Sequence, residues 1–245
     1  MLYENPELYD ELQPVSEDQL NFYRTLAQGQ GGPVLELACG SGQLIVPIAG
    51  TGLPAVGLDR SPEMLMLARR RAVAAGARVE FVDQDMRDFD LGQLFSMILV
   101  VRNSLLHLSE TDDFAALFST VRRHLTSDGV FAFDIFNPDL RLLSRPTGER
   151  FPVMRVPSAL HGELIVEATN DYDRKSQINR ATWFISTTAQ RDRWVAPMHL
   201  RSIFPEELLV LLAKNGFRLM RRDGDYRGSS FTGASGRQVC QCRAM

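Results

Sequence analysis

An apolar run that breaks into a glycine turn constrains this chain more than any other feature of its sequence. Residues 34–42 read Val-Leu-Glu-Leu-Ala-Cys-Gly-Ser-Gly, and a second apolar run, residues 55–58, ends in Asp59. A strand, a glycine turn, a helix and a second strand closed by an acid form a nucleoside-binding half of a parallel α/β sheet. The glycines let the backbone approach a ligand closely, and the acid can accept hydrogen bonds from both hydroxyls of a ribose.

The turn departs from the dinucleotide fingerprint Gly-x-Gly-x-x-Gly in two ways. Ile45 stands where the third glycine would be, and Glu36 places a carboxylate four residues before Gly40. A carboxylate at the end of the first strand disfavours a bound phosphate and favours a cationic amine or sulfonium. A nucleotide-dependent oxidoreductase is therefore kept only as an alternative interpretation.

This stretch resembles the class I S-adenosylmethionine-dependent methyltransferases, and within them the small-molecule branch that includes sugar N-methyltransferases and glycine/sarcosine-type enzymes. The matching residues are Glu36, Ala38, Cys39, Gly40, Gly42 and Asp59. The resemblance implies S-adenosylmethionine as cofactor and S-adenosylhomocysteine as product. It places Glu36 and the turn against the methionine moiety, Asp59 on the ribose, Asp85 on the adenine amino group and the Met86 amide on the ring. Further cofactor contacts are expected at Tyr9, Tyr23, Arg60, Met64 and Val101.

Alternating strand and helix signals predict an α/β fold. We expect a doubly wound, seven-stranded, mostly parallel sheet with helices on both faces, as in the Rossmann-like methyltransferases, and a small antiparallel β insertion after the fifth strand. The predicted organisation is a helical cover (residues 1–32), a cofactor-binding core (33–145 and 201–245) and the insertion over the acceptor site (146–200). Ser61 followed by Pro62 predicts one helix start. Ser109 predicts another, for a helix that Gly129 closes.

The loop after the fourth strand, residues 102–107, is predicted to face the acceptor. His107 is the catalytic candidate, since a hydroxyl acceptor more often needs a base, whereas an amine only has to arrive deprotonated; ordinary packing is the alternative for this residue. Arg102 stands where relatives acting on amines or catechols often carry an acid, so we expect an anionic substrate group. Asn103 joins it as a substrate residue. Trp183 can stack on a substrate ring, although strand packing explains it equally well.

The composition of the chain excludes several classes of binding partner and location. A net charge of −3 argues against a large nucleic-acid footprint. Without an apolar run of about 18 residues or more, no membrane contact is expected. Residues 1–6 lack the basic head and apolar core of a signal peptide. Three cysteines favour a reducing, cytoplasmic setting. Cys240 and Cys242 are interpreted as alternate positions on a terminal strand, so no metal site is predicted.

The predicted function is methyl transfer to a nitrogen or oxygen nucleophile of a small molecule. Base-methylating relatives usually carry Asp/Asn-Pro-Pro-Tyr/Phe after the fourth strand, whereas this chain has Arg-Asn-Ser-Leu there. A nucleic-acid or protein methyltransferase, and a regulatory protein that binds the cofactor without transferring methyl, are the alternatives. A homodimer is left open.

Overall fold

Two β-sheets organise residues 2–245, the part of the chain that the computed structural model describes. Their strands are β1 (Val34–Leu37), β2 (Ala55–Asp59), β3 (Val79–Asp83), β4 (Phe95–Val100), β5 (Leu125–Phe136), β6 (Phe151–Ser158), β7 (Gly162–Thr169), β8 (Tyr172–Asp173), β9 (Ile178–Thr187), β10 (Trp194–Arg201), β11 (Phe217–Asp223) and β12 (Arg237–Ala244). The helices are α1 (Pro6–Leu12), α2 (Glu17–Gln30), α3 (Ile45–Ala49), α4 (Pro62–Ala75), α5 (Thr111–His124), α6 (Leu140–Leu143) and α7 (Pro205–Lys214).

The larger sheet has seven strands in the order β11-β12-β5-β4-β1-β2-β3. The pairings of β1 with β2 and β4, of β2 with β3 and of β4 with β5 are parallel, whereas β12 runs antiparallel to both of its neighbours. Helices α2, α3 and α4 pack on one face, and α5 and α7 on the other. The predicted doubly wound sheet is confirmed. The carboxyl ends of β1, β2 and β4 therefore meet at one edge.

Local signals in the sequence explain most helix ends. The Ser61 hydroxyl accepts a hydrogen bond from the Met64 amide, Pro62 occupies the first helical position of α4, and Gly76 ends the helix in the left-handed conformation. One prediction is wrong. Helix α5 is capped at Glu110 rather than Ser109, and β5 already begins at Leu125. Gly129 thus lies inside β5, where the ladder to β4 shifts register and a Cβ would come within 2.9 Å of Leu125 Cδ2.

The second sheet is the antiparallel insertion, in the order β10-β9-β7-β6 with β8 beside β9. Its buried side chains form one apolar cluster with the N-terminal residues of the chain. Leu164, Val166 and Ile185 supply the sheet side, and Leu8 and Leu12 supply the α1 side. Helix α1 therefore packs on the insertion as well as lying near the core.

All three cysteines are free and buried. Burial raises the pKa of the Cys39 and Cys242 thiols well above the usual range and that of Cys240 to about 12. Cys240 and Cys242 occupy alternate positions on β12, as interpreted from the sequence. Within residues 2–245, none of the helices is long and apolar enough to cross a membrane.

Candidate functional site

The edge where β1, β2 and β4 end borders two adjacent spaces. The first, called the cavity here, has a volume of about 400 Å³ and extends past the loops after β2, β3 and β4. The second, called the chamber, measures about 20 Å³ and lies against Glu36 and the glycine turn. The two share the walls formed by Tyr9, Ala38, Gly40, Arg102 and Ser104.

The two glycines of the turn have different roles. Both have positive φ, +53° at Gly40 and +74° at Gly42, which favours glycine. A Cβ at Gly40 would meet only Met64 Sδ, at 3.9 Å, so this glycine leaves room on the cavity side. A Cβ at Gly42 would lie 3.1 Å from Ala68 Cβ and 3.2 Å from Val46 Cγ2. Gly42 therefore serves the packing of α3 and α4 and lines neither space, contrary to its expected cofactor contact.

Asp59 closes β2 and lines the cavity. Its Oδ2 accepts a hydrogen bond of 2.7 Å from the Gly40 amide, and its Oδ1 accepts one of 2.9 Å from the Ser61 amide. Burial raises the pKa of this carboxyl, against the opposing effect of those amides. A carboxylate has about four acceptor sites, so two amides leave capacity for a diol in the cavity.

Glu36 presents a buried carboxylate to the chamber, with a relative exposure of 2%. Burial raises its pKa to about 8, although the Arg102 guanidinium and the Ile45 amide oppose the shift. Its Oε2 has no hydrogen-bond partner among residues 2–245. A buried polar oxygen without a partner is destabilising, so a ligand that donates a hydrogen bond to Glu36 Oε2 would be favoured here. A cationic amine fits this requirement.

Arg102 and Asn103 continue β4 in an uncommon backbone conformation. Their φ values are +58° and +65°, in the left-handed region that non-glycine residues rarely adopt. The Arg102 amide donates to both oxygens of Asp134, and Asn103 Oδ1 accepts a 2.7 Å hydrogen bond from the Phe136 amide. The Arg102 guanidinium donates to the Gln13 carbonyl and lies 5.2 Å from the centre of the Tyr9 ring. Asn103 thus positions the loop and lines neither space.

The far end of the cavity contains a charged cluster after β3. Asp85 accepts hydrogen bonds from Arg87 Nε at 3.0 Å and Nη2 at 2.7 Å, and these hold its pKa low. Gln84 has a buried Oε1 without a partner among the described residues. The expected contacts Arg60, Met64 and Met86 line this space. Gln84 is an acceptor that sequence reasoning did not single out.

His107 faces the cavity with Tyr3 as its neighbour. The His107 Nε2 and Tyr3 Oη atoms are 3.0 Å apart. Close packing, followed by the charge of Arg60, lowers the pKa of His107, and burial raises the pKa of Tyr3. The imidazole is therefore neutral and the phenol protonated at neutral pH, and the imidazole tautomer decides which of the two groups donates. Sequence reasoning found His107 but not Tyr3, for which no spacing signal exists.

Two expected site residues lie elsewhere. Tyr23 is fully buried and donates a 2.8 Å hydrogen bond to Asp134 Oδ1. Trp183 packs in the apolar cluster of the insertion. Cys39 and Val101 do line the chamber as expected. Among residues 2–245, no group of three or more His, Cys, Asp or Glu side chains is placed to hold a metal ion.

Known proteins resemble both the core and the whole chain. The methyltransferase domain family matches residues 34–129. YqeM of Bacillus subtilis (strain 168), provisionally named as a methyltransferase, is 28% identical over 92% of this chain and 90% of its own length. The dTDP-3-amino-3,6-dideoxy-alpha-D-glucopyranose N,N-dimethyltransferase of Streptomyces fradiae is 34% identical over 40% of this chain and 36% of its own length. The solved structure of SAM-bound CalS10, an amino pentose methyltransferase from Micromonospora echinaspora, superposes with a TM-score of 0.73 at 19% identity, covering 100% of this chain and 97% of that one.

Proposed function

We propose that this chain, whose residues 34–129 match the methyltransferase domain family, is a class I S-adenosylmethionine-dependent methyltransferase that methylates a nitrogen or oxygen nucleophile of a small molecule. The observation that carries the proposal is the buried Glu36 oxygen without a partner, beside a glycine turn that leaves room for a ligand. The aminosugar methyltransferase of Streptomyces fradiae supports a small-molecule acceptor.

The cofactor residues follow from the two spaces. We assign the amino group of the methionine moiety to Glu36 and the ribose hydroxyls to Asp59. We assign the adenine ring to the end of the cavity between Met64 and Met86, with Asp85 and Gln84 as hydrogen-bond acceptors for its amino group. Asp85 keeps acceptor capacity beyond its bonds to Arg87.

The chain's contribution to methyl transfer is alignment and exclusion of water. Bound S-adenosylmethionine supplies a methyl group already activated on a sulfonium, for in-line displacement by the acceptor. Glu36 and Asp59 fix the methionine moiety and the ribose of the ligand, because Glu36 is buried in β1 and Asp59, at the end of β2, is held by two backbone amides. Tyr9 forms a wall shared by the cavity and the chamber, which keeps water away from the reacting atoms.

His107 is the group we propose to take a proton when the acceptor is a hydroxyl. Its lowered pKa keeps the ring neutral near neutral pH, so that it can accept a proton. In the tautomer that carries its proton on Nδ1, Nε2 accepts from Tyr3, and a rotation of the phenol would release that nitrogen toward the cavity. For an amine acceptor the same pair would only orient the nucleophile.

Calorimetric titration with S-adenosylmethionine and S-adenosylhomocysteine tests the cofactor assignment. Asp59→Asn should lower the affinity for both ligands by about tenfold or more, because hydrogen bonds to a charged group contribute about 1.5–3 kcal/mol. Asp83→Asn is the matched control: Asp83 pairs with Asp59 in register at the end of β3 and is exposed. Equal affinities in the two variants would contradict the ribose assignment.

The acceptor class is tested with the same protein and a labelled methyl donor. Matched panels of amino and hydroxyl compounds, including sugar derivatives, are compared with oligonucleotides and peptides. Transfer to small molecules alone is the expected result, and His107→Gln should slow hydroxyl acceptors more than amines. Transfer only to nucleic acid or protein would overturn the proposal.

A further inference from the structure

The chamber contains one carboxylate and one guanidinium, and this pairing points to a ligand that carries both charges. Glu36 is the last residue but one of β1, and Arg102 follows β4, which is one of the two parallel neighbours of β1. Both side chains line the chamber, and each affects the other electrostatically, since Arg102 opposes the raised pKa of Glu36. Among the described residues of the chamber wall, Arg102 is the sole cationic side chain.

Two further polar side chains of the chamber wall, Ser41 and Gln43, are already engaged. Ser41 Oγ donates a 2.5 Å hydrogen bond to Asp10, and Gln43 Nε2 donates one of 2.6 Å to the same carboxylate. Gln43 Oε1 accepts from the Val15 amide at 2.8 Å. Arg102 has five N–H donors, of which the structure shows one side-chain bond, to the Gln13 carbonyl. At the wall shared by the cavity and the chamber, Arg102 therefore supplies the charged donors, beside the hydroxyls of Tyr9 and Ser104.

The backbone around Arg102 is built to hold this side chain in place. Two consecutive non-glycine residues in the left-handed region are costly and persist only where their surroundings enforce them. Here Asp134 accepts from the Arg102 amide, and the Ser104 amide donates to the Val101 carbonyl at 3.1 Å. The reversal turns the chain back at the end of β4, where the Arg102 side chain reaches the wall shared by the cavity and the chamber.

We propose that Arg102 binds the carboxylate of the cofactor's methionine moiety, so that Glu36 and Arg102 together recognise both charged ends of an α-amino acid. The inference rests on the proposed function and changes one assignment made from the sequence. In that assignment, Arg102 binds an anionic group of the acceptor. A carboxylate on the cofactor and one on the acceptor would bind Arg102 in the same way, and a binding experiment distinguishes the two.

The experiment compares S-adenosylmethionine with its decarboxylated analogue, which keeps the sulfonium and the amine but lacks the carboxylate. Wild-type protein should prefer S-adenosylmethionine by about 30-fold, the size expected for a charge-assisted hydrogen-bonded contact. Arg102→Met should reduce that preference to about threefold or less, and Arg102→Lys should keep part of it. Arg69→Met is the control, since Arg69 is exposed and donates to the Phe81 carbonyl outside both spaces.

The outcomes distinguish this inference from the proposed function. If wild-type protein binds neither ligand, the proposed function fails. If it binds both equally, or if Arg102→Met weakens both by the same factor, only the role of Arg102 is overturned. An Arg102→Met variant that keeps its ligand preference but raises the KM of an anionic acceptor would return Arg102 to the acceptor. Circular dichroism and thermal unfolding of each variant check that the fold is retained.

Discussion

Two buried carboxylates, Glu36 on β1 and Asp134 on β5, have nearly the same exposure but opposite surroundings. Their relative exposures are 2% and 0%. Asp134 accepts hydrogen bonds from Tyr23 at 2.8 Å, Arg237 at 3.0 Å and the Arg102 amide at 3.1 Å. Glu36 keeps one oxygen without a partner among residues 2–245. Burial alone therefore does not mark a ligand site; what distinguishes Glu36 from Asp134 is an unmet hydrogen bond beside a space that can hold a ligand.

The two carboxylates differ because donors from other elements surround Asp134, whereas Glu36 faces an open space. The donors to Asp134 come from α2, from β12 and from the loop after β4, so this carboxylate joins three parts of the chain. Its ion pair with Arg237 also supplies the charge that a buried carboxylate needs. Glu36 faces the chamber instead. Asp134 is thus part of the architecture, and Glu36 is available for binding.

The largest expected effect is the loss of stability caused by Asp134→Asn. Removing one partner of a buried ion pair leaves the other charge uncompensated, and we expect a loss of about 3 kcal/mol in the free energy of unfolding. Urea unfolding near neutral pH measures it. A loss below about 1 kcal/mol would mean that the Asp134 network contributes little to stability.

Glu36→Gln is the matched control for stability. The pKa of Glu36 is about 8 in the folded protein against an ordinary value of 4.5, so the folded state opposes its ionisation. The stability linked to its protonated form is present below pH 4.5 and is lost as pH rises toward 8. Glu36→Gln should therefore become more stable relative to wild type across that window, without a loss at neutral pH.

For cofactor binding, in contrast to stability, Glu36 should matter more than Asp134. Glu36→Gln should weaken S-adenosylmethionine binding by about 30-fold, because a charge-assisted hydrogen bond is lost. In wild-type protein the amine requires the carboxylate form, so the apparent Kd should rise about tenfold per pH unit below pH 8. Calorimetry in buffers of different ionisation enthalpy should detect proton release on binding to wild type. The same proton count in Glu36→Gln would contradict the role of Glu36.

The smallest expected effects are those of removing the hydroxyl of Tyr23 or Tyr9, two tyrosines of the N-terminal helices. Tyr23→Phe should reduce stability by about 1 kcal/mol through the lost bond to Asp134 and leave cofactor affinity unchanged. Tyr9→Phe, in the wall shared by the cavity and the chamber, is its counterpart and should affect affinity more than stability. Weaker binding by Tyr23→Phe than by Tyr9→Phe would support the sequence-based placement of Tyr23 at the cofactor.

The sequence predicted the core because its signals are local. Ser61, Pro62 and Gly76 mark both ends of α4 within a stretch of sixteen residues. The sequence predicted the insertion but not the bounds of its strands. Strand β6 carries Pro152 and Pro157, which an edge strand tolerates but which obscure its sequence pattern.

The site was predictable to the extent that its residues follow strand ends. Glu36 was found as an acid inside an apolar run, and the same reasoning applied to residues 130–136 would have found Asp134. The left-handed conformation of Arg102 was not predictable, because its enforcing partner lies 32 residues further along the chain. Similarly, nothing in the sequence around Tyr9 and Tyr23 shows that Tyr9 lines the cavity whereas Tyr23 is buried and bonded to Asp134.

The rates at which the three buried thiols react with a labelling reagent should report local opening of the structure. A thiol reagent attacks the thiolate, and burial both raises the pKa of these cysteines and blocks access to them. Cys39 belongs to the glycine turn, whereas Cys240 and Cys242 lie on a strand between two others. The labelling rate of Cys39 therefore reports how often the turn opens, and the labelling of the other pair reports how often the sheet does.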